Sequence, residues 1–148
     1  MHEVMPLSTV PISKGHRFSR QHSFTIDEVI AFALAAGDDN PLHHDTDFAA
    51  GTRCGRLIVS GTHTTALLLG LTASHFSKRG PVLGVGFSVS FLRPVSAEQT
   101  VALEWIVDAI RLRPNSKGRF VDLKGSLTDS SGQVCVSASG TVLVDFES

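Results

Sequence analysis

The sequence lacks the features that identify membrane and secreted proteins. Its most apolar stretch, TTALLLGLTA at residues 64–73, is about half of the roughly 20 residues that a membrane-spanning helix needs. The opening segment, MHEVMPLSTVPISKG, contains no basic region followed by an apolar run of the kind that directs secretion. We therefore expect a cytoplasmic protein that does not enter a membrane.

Cysteine and net charge are also sparse. Cys54 and Cys135 are the only cysteines, and in this context they are typical of free thiols in a reducing compartment. The net charge of −1 gives no overall attraction to nucleic acid or to an anionic membrane. There is no repeat, low-complexity tract or compositional break, so residues 1–148 are predicted to form a single domain with a sizeable core.

The first half of the chain predicts two helices after a weakly alternating strand at 16–24. Residues 25–37 have the apolar stripe of a helix, and Thr25 with Glu28 has the spacing of a capping box. A second helix is predicted at 60–76. Its middle is apolar on all sides, which is typical of a helix buried on every face.

The second half changes to the two-residue period of strands. The four strand candidates are residues 82–92, 100–110, 118–127 and 134–146. We predict that they form an antiparallel meander wrapped around the buried helix, which makes the fold α+β. Because such a sheet has exposed edges, pairing with a second copy as a homodimer or larger oligomer is expected.

The segment AAGDDNPLHHD, residues 35–45, allows two interpretations. In the first, Asn40 and Pro41 simply end a helix within a polar turn. In the second, the tight turn folds the chain back so that Asp38 and His43 point into one cleft. A carboxylate and an imidazole that converge on one water can remove a proton from it and return a proton elsewhere.

The start of the second helix supplies a further element. The first backbone N–H groups of a helix have no partner within it, so those near Gly61 could stabilise negative charge on a carbonyl oxygen. Glycine also lets a substrate approach the backbone closely. Two proton-transfer groups and an oxyanion donor suit the addition of water across a double bond conjugated to a carbonyl.

The motif GDDNPLHHDTDFA followed by GRLIVSG resembles that of the MaoC-like dehydratases, which include the R-specific enoyl-CoA hydratases. The matching positions are Asp38, Asn40, Pro41, Leu42, His43, Asp45, Phe48, Ala49, Arg56, Ile58, Val59 and Gly61. The resemblance implies a hot-dog fold, an antiparallel sheet around one long helix that is normally paired with a second subunit or repeat. It also implies a lyase that acts on trans-2-enoyl thioesters of coenzyme A or an acyl carrier, with no other cofactor.

By this resemblance Asp38 and His43 are the catalytic pair, Asn40 helps to hold them, and the Gly61 N–H is the oxyanion donor. The chain departs from the family pattern at Cys54, Leu57, Ser60 and Leu69. We expect these departures to affect the acyl chain that is accepted rather than the chemistry.

Residues that bind the coenzyme A part of a substrate are harder to identify. Arg93 and Arg113 belong to a basic run that is either a solvated surface or a set of phosphate contacts. Gly84 and Gly86 are predicted to leave space in a strand for a pantetheine arm or for the helix.

Three other interpretations remain. The same fold supports thioesterases, and the chain could also be a silent subunit that only binds acyl thioesters. The HHD motif matches half of an iron-binding facial triad, for which His63 or His75 would have to supply the third ligand. Because few strands precede the motif, we expect no metal, and His63 and His75 are interpreted as polar residues near the two ends of the central helix.

Overall fold

The computed structural model describes residues 12–145, which form one antiparallel sheet and three α-helices. In chain order the elements are β1 (Arg17–Ser23), α1 (Ile26–Ala35), α2 (Thr46–Ala50), α3 (Gly61–Phe76), β2 (Val82–Phe91), β3 (Thr100–Leu112), β4 (Gly118–Thr128) and β5 (Val134–Asp145). Short 3-10 turns lie at Pro41–His43 and Ser77–Arg79. The predicted helices and strands are therefore present, with bounds that differ by a few residues.

The five strands are ordered β1-β3-β4-β5-β2. The predicted meander is correct for β3, β4 and β5, but it is wrong for β2, which pairs with β5 at the sheet edge. The reason lies in residues 92–99, which pair with the segment before α3 instead of closing a hairpin. The Val59 N–H donates to the Val95 carbonyl at 2.8 Å, and Ile58 bridges to Ser96.

Helix α3 packs against the sheet as its central element. The Trp105 indole N–H of β3 donates to the Leu68 carbonyl of α3 at 2.9 Å, which ties the sheet to the helix. The Trp105 ring covers Gly125 so closely that a Cβ at Gly125 would lie 2.5 Å from it. This arrangement confirms the predicted α+β architecture, an antiparallel sheet with one long central helix.

Side-chain caps begin both long helices. The Thr25 hydroxyl accepts from the Glu28 N–H at 3.2 Å, and the Ser60 hydroxyl accepts from the His63 N–H at 3.1 Å. The predicted capping box is only half formed, since the Glu28 carboxylate contacts His22 and His63 instead.

No helix within residues 12–145 is long and apolar enough to cross a membrane. Within the same residues, no group of three or more His, Cys, Asp or Glu side chains is arranged to hold a metal ion. Both cysteines are free thiols. The assignment of residues 1–148 to a single domain extends beyond the described part of the chain and stays a prediction.

Candidate active site

The acidic loop begins where α1 ends. Gly37 has φ +74°, a left-handed conformation that glycine adopts without strain, and it turns the chain out of the helix. The Asp38 N–H donates back to the Ala33 carbonyl at 2.8 Å. Asp38 is therefore held at the point where the chain leaves α1.

Asn40 organises the next turn in two ways. Its side-chain carbonyl accepts from the Leu42 N–H at 3.1 Å and caps the 3-10 turn Pro41–His43. Its backbone N–H donates to Asp38 Oδ1 at 3.0 Å. Asn40 thus contacts Asp38 through its backbone N–H and makes no hydrogen bond to His43, and its predicted role in holding the pair stays a prediction.

The His43 imidazole is buried and fixed by the backbone. Its Nδ1 lies 2.8 Å from the Ile58 carbonyl oxygen, which can only accept, so Nδ1 carries a proton and, in the neutral ring, Nε2 is the nitrogen with the free lone pair. His43 Nε2 lies 3.6 Å from Asp38 Oδ2. This separation is too long for a direct hydrogen bond, and it leaves both groups able to contact the same water.

His43 borders a cavity of about 730 Å³, a size that suits a small-molecule ligand. The cavity wall is mainly apolar, with threonine hydroxyls and one guanidinium group among it. The lining includes His43, Ile58, Val59, Gly61, Thr62, Thr64, Thr65, Phe91, Leu92, Arg93, Pro94, Val95 and Val136.

Gly61 reaches the same cavity as the first residue of α3. Its N–H is one of those that a helix cannot use internally. A Cβ at this position would lie 2.8 Å from the tip of the Phe91 ring, so a larger residue here would require that ring to shift. The structure thus brings His43 and the Gly61 backbone to one cavity, with Asp38 Oδ2 3.6 Å from His43 Nε2.

Comparison with known proteins identifies the family of this chain. The family model described as the MaoC-like domain matches residues 8–122. This chain belongs to the MaoC-like family. It is 35% identical to the (R)-specific enoyl-CoA hydratase of Aeromonas caviae over 105 residues, which are 71% of this chain and 78% of that protein.

Solved structures are also similar to this MaoC-like chain. The (R)-hydratase from A. caviae involved in PHA biosynthesis has a TM-score of 0.80 and 31% identity, covering 90% of this chain and 97% of that one. R-hydratase PhaJ1 from Pseudomonas aeruginosa, in the unliganded form, has a TM-score of 0.82 and 22% identity, covering 97% and 87%. The predicted family, hot-dog fold and lyase class are confirmed.

Asp39 and His44, the loop neighbours of Asp38 and His43, are placed differently from that pair. His44 Nε2 lies 3.0 Å from the Asp39 carbonyl oxygen, so these two residues contact each other on the outside of the loop. Of the four residues Asp38, Asp39, His43 and His44, only His43 lines the cavity, and only Asp38 places a carboxylate beside the His43 imidazole. They are therefore matched controls for Asp38 and His43.

The residues predicted to bind coenzyme A do not come together in one chain. Arg93 lines the cavity, whereas Arg113 follows the far end of β3, where its N–H donates to the Gly118 carbonyl. Gly84 and Gly86 flank an irregularity in the edge strand β2 and do not line the cavity. The grouping of Arg93 and Arg113 in one basic run did not show that they would lie at opposite ends of the sheet.

Sequence reasoning missed other cavity residues of the MaoC-like chain. Thr62 and Thr65 follow Gly61 at helical spacing and face the same side, a signal that the chain could have provided. Phe91 and Leu92 also border the cavity, although both are more than half exposed in the single chain. Their place at the cavity depends on the path of the chain after β2, which was not predicted from the sequence.

Proposed function

We propose that this chain interconverts trans-2-enoyl thioesters and (R)-3-hydroxyacyl thioesters by reversible addition of water. The observation that carries the proposal is the 3.6 Å approach of Asp38 Oδ2 and His43 Nε2 beside a cavity that also contains Gly61. The similarity to an (R)-specific enoyl-CoA hydratase supports the substrate class and the stereochemistry.

In the proposed reaction, Asp38 and His43 hold one water. As the water oxygen bonds to C3 of the enoyl group, one O–H bond of the water breaks and one member of the pair accepts that proton. The pair then delivers the same proton to C2, so both groups return to their starting protonation states. Negative charge develops meanwhile on the thioester oxygen, where the Gly61 N–H donates a hydrogen bond. A single such donor is typically worth about 10²–10³ in kcat. No atom is left over, and no cofactor is required.

The position of Arg93 favours a thioester substrate whose carrier group is negatively charged. It is the guanidinium group at the wall of the cavity, so it is suited to contact a phosphate of coenzyme A or of a phosphopantetheine arm. Arg113, Gly84 and Gly86 are not assigned to this contact, because they lie away from the cavity of their own chain.

A second copy of the chain is proposed to pair along β2. This strand forms one edge of the sheet, and Leu83, Val85 and Phe91 on it are 56–67% exposed. An apolar sheet edge of this kind favours strand pairing. Because Phe91 also borders the cavity, the same pairing would place the cavity beside the interface.

The test is incubation of the pure protein with a series of trans-2-enoyl-CoAs while the absorbance of the conjugated enone is followed. Loss of that absorbance with formation of the (R)-3-hydroxyacyl product supports the proposal. Release of free thiol would instead identify a thioesterase. Binding of the thioesters without any turnover would identify a silent subunit, and either of these results would overturn the proposal.

A further inference from the structure

A second group of ionisable side chains lies behind the first turn of α3. We call it the Glu28 cluster, and it consists of His22, Glu28 and His63. Glu28 Oε2 lies 2.8 Å from His22 Nε2 and 3.2 Å from His63 Nε2. One carboxylate of α1 therefore contacts an imidazole of β1 and an imidazole of α3.

The environment of His63 fixes its form. Its side chain is 3% exposed, stacked on Phe32 with ring centroids 4.2 Å apart and edge-on to Phe24. Its Nδ1 is buried without a hydrogen-bond partner among the described residues. Burial lowers the pKa of His63, against the opposing effect of Glu28. The neutral tautomer with its proton on Nε2, the ring nitrogen that lies 3.2 Å from Glu28 Oε2, meets these conditions, and the contact is electrostatic and not an aligned hydrogen bond.

The side chains of the first turn of α3 face two different environments. Gly61, Thr62, Thr64 and Thr65 line the cavity, whereas His63 is buried against α1. Gly61 has no side chain of its own to fix its position. The direction of its N–H therefore depends on contacts made by its neighbours, which are the Ser60 cap, the Thr64 hydroxyl that donates to the Gly61 carbonyl at 3.1 Å, and the contact of His63 with Glu28.

We propose that Glu28 and His63 are positioning residues that hold the Gly61 N–H in the direction needed for an oxyanion. The inference rests on the proposed hydratase function and adds two residues to it. An oxyanion donor acts only when it lies within about 2.7–3.1 Å of the charged oxygen. A displacement of about 1 Å at a reacting centre can cost on the order of 10²-fold in rate.

Substitutions at the two positions test this contact. In His63→Leu and Glu28→Leu the side-chain bulk is kept and the polar contact is lost. We expect kcat to fall about 10- to 100-fold in each, with KM changed less than about twofold, because the oxyanion exists only in the transition state. The double variant should lose little more than either single one. Glu28→Gln keeps an acceptor oxygen, so it should recover most of the loss.

His75→Leu is the matched control. His75 is also partly buried and stacked on an aromatic ring, but it lies in the last turn of α3, at the end of the helix opposite Gly61. We expect its kcat to match that of the wild type even where its stability is lowered. The inference is overturned if His63→Leu and Glu28→Leu keep the wild-type kcat, or if His75→Leu loses as much.

A measurement without substrate separates this inference from the proposed function. The NMR order parameter of the Gly61 N–H should fall in Glu28→Leu and stay at the wild-type value in Glu28→Gln. An order parameter that is the same in both variants would overturn the positioning inference. An absence of hydration by the wild type, with the order parameter changing as expected, would overturn the proposed function alone.

Discussion

At the scale of single residues, Asp38 and His43 decide between a turn and a catalytic site. Asp38→Asn keeps the size and turn preference of the residue but removes the proton acceptor, and His43→Ala removes the imidazole. We expect each to lower kcat by about 10²–10⁴, the usual contribution of a general acid or base. Since both groups act on one water, the double variant should be far less impaired than the product of the two effects.

The controls for this prediction are Asp39→Asn and His44→Ala, which change the same residue types one position along the loop. Both should keep activity close to the wild type, because the His44 ring contacts the Asp39 carbonyl oxygen and the carboxylate beside His43 is that of Asp38. Hydration at the wild-type rate by Asp38→Asn would mean that the acidic loop is only a turn.

Arg93 gives a second prediction at the residue scale. If its guanidinium contacts a phosphate in both the ground state and the transition state, Arg93→Ala should raise KM about 3- to 10-fold with kcat little changed. Arg113 lies at the other end of the sheet, away from the cavity of its own chain. Arg113→Ala is therefore the control and should leave both KM and kcat unchanged. Equal values of KM for Arg93→Ala and the wild type would contradict the phosphate contact.

His75 makes stability depend on pH. Its ring is stacked on Phe18 at 3.9 Å, and its Nε2 lies 2.9 Å from His16 Nε2. Burial, followed by the charges of His16, Arg79 and Lys78, lowers its pKa from 6.5 to about 4. Between these values the unfolded chain binds a proton that the folded chain does not, so the folded state loses stability as the pH falls from 6.5 towards 4.

Thermal unfolding between pH 7 and pH 5 measures this effect. The loss should be on the order of 1–2 kcal/mol, after allowance for solvent screening of a half-buried group. In His75→Leu the melting temperature should depend less steeply on pH over the same interval. Identical slopes for the two proteins would show that His75 does not carry the effect.

At the scale of elements, local signals predicted what local interactions determine. The Thr25 and Ser60 caps and the alternation of the strands are encoded within a few residues, and all are present. The place of β2 in the sheet was predicted wrongly, because it depends on the pairing of residues 92–99 with the segment before α3. The Glu28 cluster was missed for the same reason, since it joins three separate elements.

Substitution of two glycines by alanine is expected to change the stability of the fold in opposite directions. A Cβ at Gly125 would lie 2.5 Å from the buried Trp105 ring, so Gly125→Ala should destabilise the fold by about 1–3 kcal/mol. A Cβ at Gly70, within α3, would meet nothing within 4 Å, so Gly70→Ala should stabilise it by about 0.5–1 kcal/mol. Urea unfolding measures both, and an unaffected Gly125→Ala would contradict the packing of Trp105 on β4.

The residues of the candidate site also differ in whether the local sequence predicted their positions. Asp38, Asn40 and His43 lie within one turn, so their spacing allowed convergence as one of two interpretations, and the family resemblance favoured it. Arg113 was grouped with Arg93 because the two are close in sequence. In the sheet they lie at opposite ends, since β3 runs the length of the molecule between them.

At the scale of the whole molecule, the exposed edge of β2 predicts a dimer. Light scattering should give the mass of at least two chains, and the combined variant Leu83→Lys, Val85→Lys should shift the protein towards the monomer, because lysines on an edge strand oppose pairing. The control places lysines at Ser19 and Gln21 on β1, the opposite edge of the sheet, and should leave the mass unchanged.

Activity links this prediction to the cavity. Phe91 and Leu92 border the cavity and lie at the end of the same edge strand, so separation of the two copies should open the cavity to water. Water exclusion strengthens hydrogen bonding to a developing oxyanion. The β2 variant should therefore lose activity in proportion to its loss of dimer as the protein is diluted. A wild-type protein that is monomeric at all concentrations and fully active would contradict the assignment of β2 as the interface.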